Sequence, residues 1–172
     1  MDLSILIVTY NSAPLMDALL SQLQSEIHSP DFGWKAEVVL VDNGSRDGTA
    51  ELVAAQHRWV TLVPNTVNLG FAAGNNLAAL SATGRYLLLL NPDAVPAPGA
   101  LAQGIALMDA HPEAGMAGGE LRNTRGEREP SARMFPTLRD EVFTMSGLAA
   151  KYPHSRTFAR LDRRWADPEQ DA

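Results

Sequence analysis

The sequence predicts an α/β fold in which a mostly parallel sheet is covered by helices on both faces. Short apolar runs recur through the first half of the chain, and each is separated from the next by a segment with helical spacing. The runs are continuous rather than alternating, as expected of strands buried on both faces and joined by helical crossovers. Every run also ends in a polar, turn-forming stretch, and this directs attention to one edge of the sheet.

Leu3 to Val8 (LSILIV) is the first strand. Ser12 is placed to cap a helix with Pro14 in its first turn, running through LMDALLSQLQSEI. Its apolar residues Leu15, Ala18, Leu19, Leu23 and Ile27 fall on one face. HSPDFGWK breaks that helix, and Glu37 to Val41 (EVVLV) forms a second strand, closed by the turn residues Asp42, Asn43 and Gly44. Asp47 or Ser45 can cap a second helix over GTAELVAAQHR, and Val60 to Val63 is a third strand. Phe71 to Ala82 reads as a small-residue helix ended by Gly84 in the manner of a C-terminal glycine. Arg85 to Leu90 is the fourth strand, and a further helix follows Pro98 across LAQGIALMDAH, stopped at His111-Pro112. Beyond Ala114 the pattern predicts a strand within AGMAGGEL, a short one in ARMFP, a helix over PTLRDEVFTMSGLA and a polar tail.

Right-handed crossovers between such strands make a Rossmann-like layer, which binds ligands beyond the carboxyl ends of its strands, near a reversal of strand order. The segments there are TYN, DNGS, PNTVNLG and NPD.

Composition narrows the class of partner. Of 172 residues, 45% are hydrophobic and 20% charged, with 14 basic against 20 acidic and a formal net charge of −6. That balance disfavours nucleic acid or an anionic membrane surface as the main partner. An anionic small molecule remains compatible, held by a metal ion or by backbone N–H groups. No cysteine is present, so disulfide and thiolate chemistry are excluded. The longest uninterrupted apolar run, Tyr86 to Leu90, is far short of the roughly 20 residues a membrane-spanning helix needs. A soluble, cytoplasmic protein is the expectation.

Taken singly, the polar loops have ordinary explanations. Asp42 can accept two hydrogen bonds from a ribose or base edge, and it can equally be a turn residue of DNGS. Gly70 and Gly74 permit close backbone approach to a diphosphate at a helix N-terminus, or simply close helix–sheet packing. Asp93, in NPD, suits a hard divalent cation that takes one or two carboxylates plus substrate phosphates. In isolation the proline-framed turn is its simpler explanation. Asp31-Phe32-Gly33 spells a kinase metal triplet without the rest of that signature. The histidines His28, His57, His111 and His154 lack metal-ligand spacing. Arg122 to Arg128 reads as a charged hairpin or loop, Arg133 as a solvated arginine, and Met108, Met116, Met134 and Met145 as core fillers.

Together, VTYN, VLVDNGSRDGT, NLGFAAGNN and YLLLLNPDA, in this order and at these spacings, resemble glycosyltransferase family 2. Within it they are most similar to bacterial rhamnosyltransferase-like members that build surface polysaccharides. The resemblance runs from about Leu3 to Pro136. It implies a GT-A fold and transfer of a sugar, with inversion, from a nucleoside-diphosphate sugar to a saccharide or lipid-linked acceptor. By position it implies that Thr9, Tyr10 and Asn11 border the nucleobase and that Asp42 binds the nucleoside. Gly70 and Asn75 would lie along the ribose and diphosphate. Asn91-Pro92-Asp93 stands where the family carries its Asp-x-Asp motif. Asp93 is therefore the implied ligand of Mg²⁺ or Mn²⁺, with Asn91 in place of the first acid.

The implied division is a nucleotide-sugar-binding part over 1–136, with 137–172 a C-terminal helix and polar tail opening an acceptor region. The implied catalytic base lies beyond residue 172. Asp140-Glu141 is an early substitute, expected on a surface helix. A non-catalytic nucleotide-binding module is the alternative. A nicotinamide-dependent dehydrogenase is disfavoured, because VTYNSAP has none of the glycines required after the first strand. The resemblance implies no nucleic-acid partner, and a location at the inner face of the plasma membrane reached through the acceptor.

Overall fold

A computed structural model describes residues 1–129 and 135–161. Two compact units divide the chain, Met1–Gly115 and the residues from Met116 onward.

The first unit contains β1 (Leu3–Thr9), α1 (Ala13–Ile27), β2 (Ala36–Asn43), α2 (Thr49–Gln56), β3 (Thr61–Asn65), α3 (Phe71–Ala79), β4 (Tyr86–Leu90) and α4 (Ala100–Ala110). The strands form a four-stranded parallel sheet in the order β3-β2-β1-β4. β1 and β2 are almost wholly buried, as their unbroken apolar runs require. On one face, Ile5, Ile7, Val38 and Leu40 pack with Met16, Leu19, Leu20 and Leu23 of α1, Val53 of α2, and Leu101 and Ile105 of α4. On the other, Leu6, Val39 and Val41 pack against Ala78 of α3. Helices therefore cover both faces.

Local details depart from the sequence expectations for physical reasons. Ser12 occupies the N-cap position of α1, yet its side chain caps nothing; its hydroxyl donates to the Tyr10 carbonyl at 3.3 Å. Gly48, in the left-handed region (φ 86°), takes the N-cap position of α2 that was expected for Ser45 or Asp47. Helix α3 stops at Ala79, and Gly84 is not its C-cap. Instead Gly84 lies against the start of β1, where a Cβ would meet the Ser4 nitrogen at 2.4 Å and the Leu3 carbonyl carbon at 2.7 Å. Its N–H donates to Ser4 Oγ at 2.8 Å, so this glycine serves close approach of two backbones.

The second unit holds an antiparallel pair, β5 (Leu121–Arg122) with β6 (Arg128–Glu129), then α5 (Leu138–Met145) and α6 (Leu148–Lys151). The charged hairpin thus forms, whereas residues 114–120 add no strand. Most of ARMFP, including Arg133, lies outside the described residues. Phe143 and Tyr152 enclose Phe158, with ring centroids 5.0 and 5.5 Å away.

Candidate functional site

The strand order locates the site. From β1 the chain crosses to β2 and β3 on one side, then returns to β4 on the other side of β1. Strand order reverses between β1 and β4, so a ligand crevice is expected beyond Thr9 and Leu90. The loops there carry Tyr10 and Asn11 on one flank and Asn91 to Asp93 on the other. Tyr10 is about half exposed, and Asn91 and Asp93 are exposed. This edge is open; among the described residues one hollow lies beside Gln22, Glu26 and Gly99 and another in the second unit.

Two loops of the first unit interlock at this edge. Parallel register puts Thr9 opposite Asp42, and the Thr9 hydroxyl donates to Asp42 Oδ1 at 3.3 Å. Ser45 N–H donates to Asp42 Oδ2 at 3.1 Å. Asp42 is only 3% exposed, and an ionised carboxylate has room for about four donors, so acceptor capacity remains for a ligand. Asn11 sits at φ 52°, a left-handed conformation that asparagine tolerates better than most residues. It is held there reciprocally: its N–H donates to Ser45 Oγ and its Oδ1 accepts from Arg46 N–H, both at 2.9 Å.

The orphan N–H groups at the start of α1 are satisfied from the second loop rather than from Ser12. Ala13 N–H donates to Asp47 Oδ2 at 3.0 Å and Ser12 N–H to Thr49 Oγ1 at 3.1 Å. Thr49's hydroxyl and then Ala13's N–H hold the Asp47 carboxyl below the usual carboxylate range.

The third loop hangs on Asn43, a buried side chain. Its Nδ2 donates to Asn68 Oδ1 at 2.9 Å and to the Gly70 carbonyl at 3.3 Å. Its Oδ1 accepts from Leu69 N–H at 2.9 Å. Gly70 (φ 81°) has open space where a Cβ would point. Gly74 is different: a Cβ there would meet Val8 Cγ1 at 2.7 Å, which is close helix–sheet packing. Asn75 is buried, and its Nδ2 donates to the Phe71 carbonyl within its own helix at 2.9 Å. Neither Asn43 nor Asp47 stood out as more than turn or cap chemistry in DNGSRDGT. The partners that tie the loops together, Asn68 for Asn43 and Ala13 for Asp47, lie 25 and 34 residues away, and spacing does not reveal them.

Asp93 follows β4 in a turn closed by Ala94 N–H donating to the Asn91 carbonyl at 3.1 Å. Among the described residues no cluster of three or more metal-binding side chains exists. A single exposed carboxylate fits a cation that keeps waters and takes its other ligands from substrate phosphates, but not an all-protein cage. Asp140 departs from its expected surface position. It is 4% exposed, forms a capping box with Thr137, and receives Arg160 Nε at 3.2 Å and Arg160 Nη2 at 2.6 Å. The Arg160 guanidinium, then the Thr137 hydroxyl, hold its carboxyl far below the usual range, so it is a poor proton acceptor.

A parallel α/β layer with polar loops beyond a reversal of strand order is the arrangement in which open sheets of this class bind their ligands. Residues 4–162 match the model for glycosyl transferase family 2, and the chain belongs to that family. It is 31% identical over 150 residues to an N-acetylglucosaminyl-diphospho-decaprenol L-rhamnosyltransferase of Mycobacterium tuberculosis, a match covering 79% of this chain and 46% of that protein. The structure of S. aureus TarS 1-349 in complex with UDP aligns with TM-score 0.55 at 27% identity, covering 64% of this chain and 33% of that one. A mannosyltransferase of Pyrobaculum calidifontis, in complex with GDP-Man and Mn²⁺, aligns with TM-score 0.55 at 34% identity over 62% and 32% of the two chains. The chain therefore spans about half the length of the curated relative and a third of these structures. Among the described residues no helix is long and apolar enough to cross a membrane.

Proposed function

We propose that this chain carries the donor-binding part of an inverting glycosyltransferase that uses a nucleoside-diphosphate sugar and a divalent metal. The observation that carries the reading is the convergence of Asp42, Asn11 and Asp93 on the carboxyl edge of β2, β1 and β4. Asp42 accepts from the nucleoside, Tyr10 and Asn11 border the base, and Gly70 gives the diphosphate close approach to backbone.

Charge supports the need for a metal. Residues 1–115 contain only four basic side chains, Lys35, Arg46, Arg58 and Arg85. Lys35, Arg58 and Arg85 precede β2, β3 and β4, at the opposite edge of the sheet. Arg46 alone shares the edge with Asp42 and Asp93, too little cationic charge for a diphosphate. Asp93 would hold Mg²⁺ or Mn²⁺, which supplies Lewis-acid stabilisation of the departing diphosphate. The acceptor is proposed to be a lipid-linked saccharide used in surface polysaccharide synthesis at the cytoplasmic membrane face. Its support is the similarity to the mycobacterial N-acetylglucosaminyl-diphospho-decaprenol L-rhamnosyltransferase.

Titrating UDP and dTDP by calorimetry, with Mn²⁺ and with EDTA, tests the reading. Metal-enhanced binding that Asp93→Ala abolishes is expected; no metal dependence in the wild type would sink it. A second reading, a nucleotide-binding module without transfer, is favoured by the commitment of Asp140 to Arg160. Donor turnover above a metal-only blank would exclude it.

A further inference from the structure

We infer that Gln22 and Glu26 of α1 are positioning residues for Asp93, because together they clamp the proline-rich strap that carries it. The metal-binding role of Asp93 rests on the function proposed above; the clamp itself does not. The strap joins the end of β4 to the start of α4 and reads NPDAVPAPG over residues 91–99. Pro92, Pro96 and Pro98 bring no backbone N–H to it. Its own backbone bonds close a turn at each end: Ala94 N–H donates to the Asn91 carbonyl at 3.1 Å and Ala100 N–H to the Ala97 carbonyl at 3.0 Å. Asp93 is exposed, and among the described residues nothing hydrogen-bonds its carboxylate. Where that carboxylate sits is therefore decided by the backbone beneath it.

Two side chains of one helix fasten that backbone from outside. Gln22 Nε2 donates to the Pro96 carbonyl at 2.7 Å, and Glu26 Oε1 accepts from Gly99 N–H at 3.2 Å. Gln22 and Glu26 stand four residues apart, so they project from one side of α1 and grip the strap at two points. Both are half-buried. Glu26 also completes α4. Gly99 (φ 78°) takes the N-cap position of that helix and has no side chain to cap it, so the carboxylate from α1 engages its N–H and complements the positive end of the helix. Helix α1 is itself seated on the sheet, where Leu19, Leu20 and Leu23 pack in the core with Ile5 and Ile7. The clamp thus refers Asp93 to the rigid core, as outer hydrogen bonds do for the ligands of a metal.

The test combines calorimetric titration of UDP, with Mn²⁺ and with EDTA, and amide hydrogen exchange of the metal-free protein. Gln22→Met and Glu26→Met keep unbranched, helix-compatible side chains but lose the donor and the acceptor. Each should weaken the Mn²⁺-dependent part of UDP affinity by about fivefold, the ordering one hydrogen bond carries, and leave binding in EDTA unchanged. Glu26→Gln keeps an acceptor oxygen and should behave as the wild type. In the metal-free methionine variants the Asp93, Ala94 and Val95 amides should exchange faster, while those of β1 and β2 keep their wild-type rates. Each methionine variant is scored by itself, so one that loses its helical circular dichroism leaves the other to decide. A metal-dependent wild type matched by the methionine variants overturns the positioning role while the donor reading stands. A wild type without metal dependence overturns the donor reading and that role with it, and the exchange rates still decide the clamp. Unchanged exchange at Asp93, Ala94 and Val95 overturns the clamp.

Discussion

Asn43 offers a test of whether the donor crevice is held together as described. Asn43→Ala removes three well-formed bonds, to Asn68 Oδ1 (2.9 Å), the Gly70 carbonyl (3.3 Å) and Leu69 N–H (2.9 Å), and a long, weak fourth from Asn65 Nδ2 at 3.5 Å. At about 1 kcal/mol net for each well-formed hydrogen bond, the ceiling is about 3 kcal/mol. Residues 68–70 are exposed and recover water partners, which lowers the expected global loss to about 1–2 kcal/mol. Asn43→Asp should be worse despite identical shape. It keeps an acceptor for Leu69 but turns a second oxygen toward two existing acceptors, costing about 1–3 kcal/mol for the group left unsatisfied. Rotating the Asn68 amide to offer its NH₂ would forfeit the 2.8 Å bond from Gly70 N–H to Asn68 Oδ1, and the Gly70 carbonyl cannot change character. Urea denaturation followed by circular dichroism gives the stability order, expected as wild type above alanine above aspartate. Affinity for a nucleoside diphosphate should fall by roughly tenfold per 1.4 kcal/mol of lost loop ordering. An aspartate variant as stable as the wild type would refute the hub.

Asp42→Ala should cut nucleoside affinity with or without metal, whereas Asp93→Ala should remove only the metal-dependent part; titrations in EDTA separate the two. Gly84→Ala, facing the β1 backbone, should cost about 1–3 kcal/mol of unfolding free energy by overpacking. Gly104→Ala, inside α4 with nothing within 4 Å, should gain about 0.5–1 kcal/mol in the same denaturation assay. Because the folded Asp140 carboxyl titrates below its unfolded value, its contribution is present above the ordinary aspartate range near about pH 4 and fades as pH falls toward the folded value. Hydrogen exchange of the α5 amides should show a gap between wild type and Asp140→Asn that is constant near neutrality and narrows in acid. A gap flat through the acid range would contradict the ion pair.

Much of the first unit is legible because burial on both faces imposes continuous apolar strands. LSILIV and EVVLV announce themselves in this way, whereas YLLLL reads the same although Leu87 and Leu89 on one of its faces are about half exposed. The order β3-β2-β1-β4 is less legible, since crossovers do not say on which side of β1 the fourth strand lands. Single-residue roles mislead where one residue type has several uses. Gly84 looks like a helix terminator and is a close backbone contact; Ser12 looks like a cap and yields that task to Asp47. Asp140 shows the same limit from the other side. Nothing around TLRDEV signals that an arginine 20 residues later will bury and ionise it.

The Asn43-Gly44 pair also has a chemical history written into it. In a flexible chain this dipeptide ages readily, because the glycine nitrogen attacks the asparagine side-chain carbon and expels its amide nitrogen as ammonia, giving a cyclic imide that water opens to aspartate or isoaspartate. In the fold, the Asn43 amide is held by both of its ends, so the rotation that brings it onto the Gly44 nitrogen is blocked. Folding thus acts as a preservative for its own donor crevice. Chain that lingers unfolded accumulates the acidic product, and that product then meets the acceptors of Asn68 and Gly70 with the wrong charge.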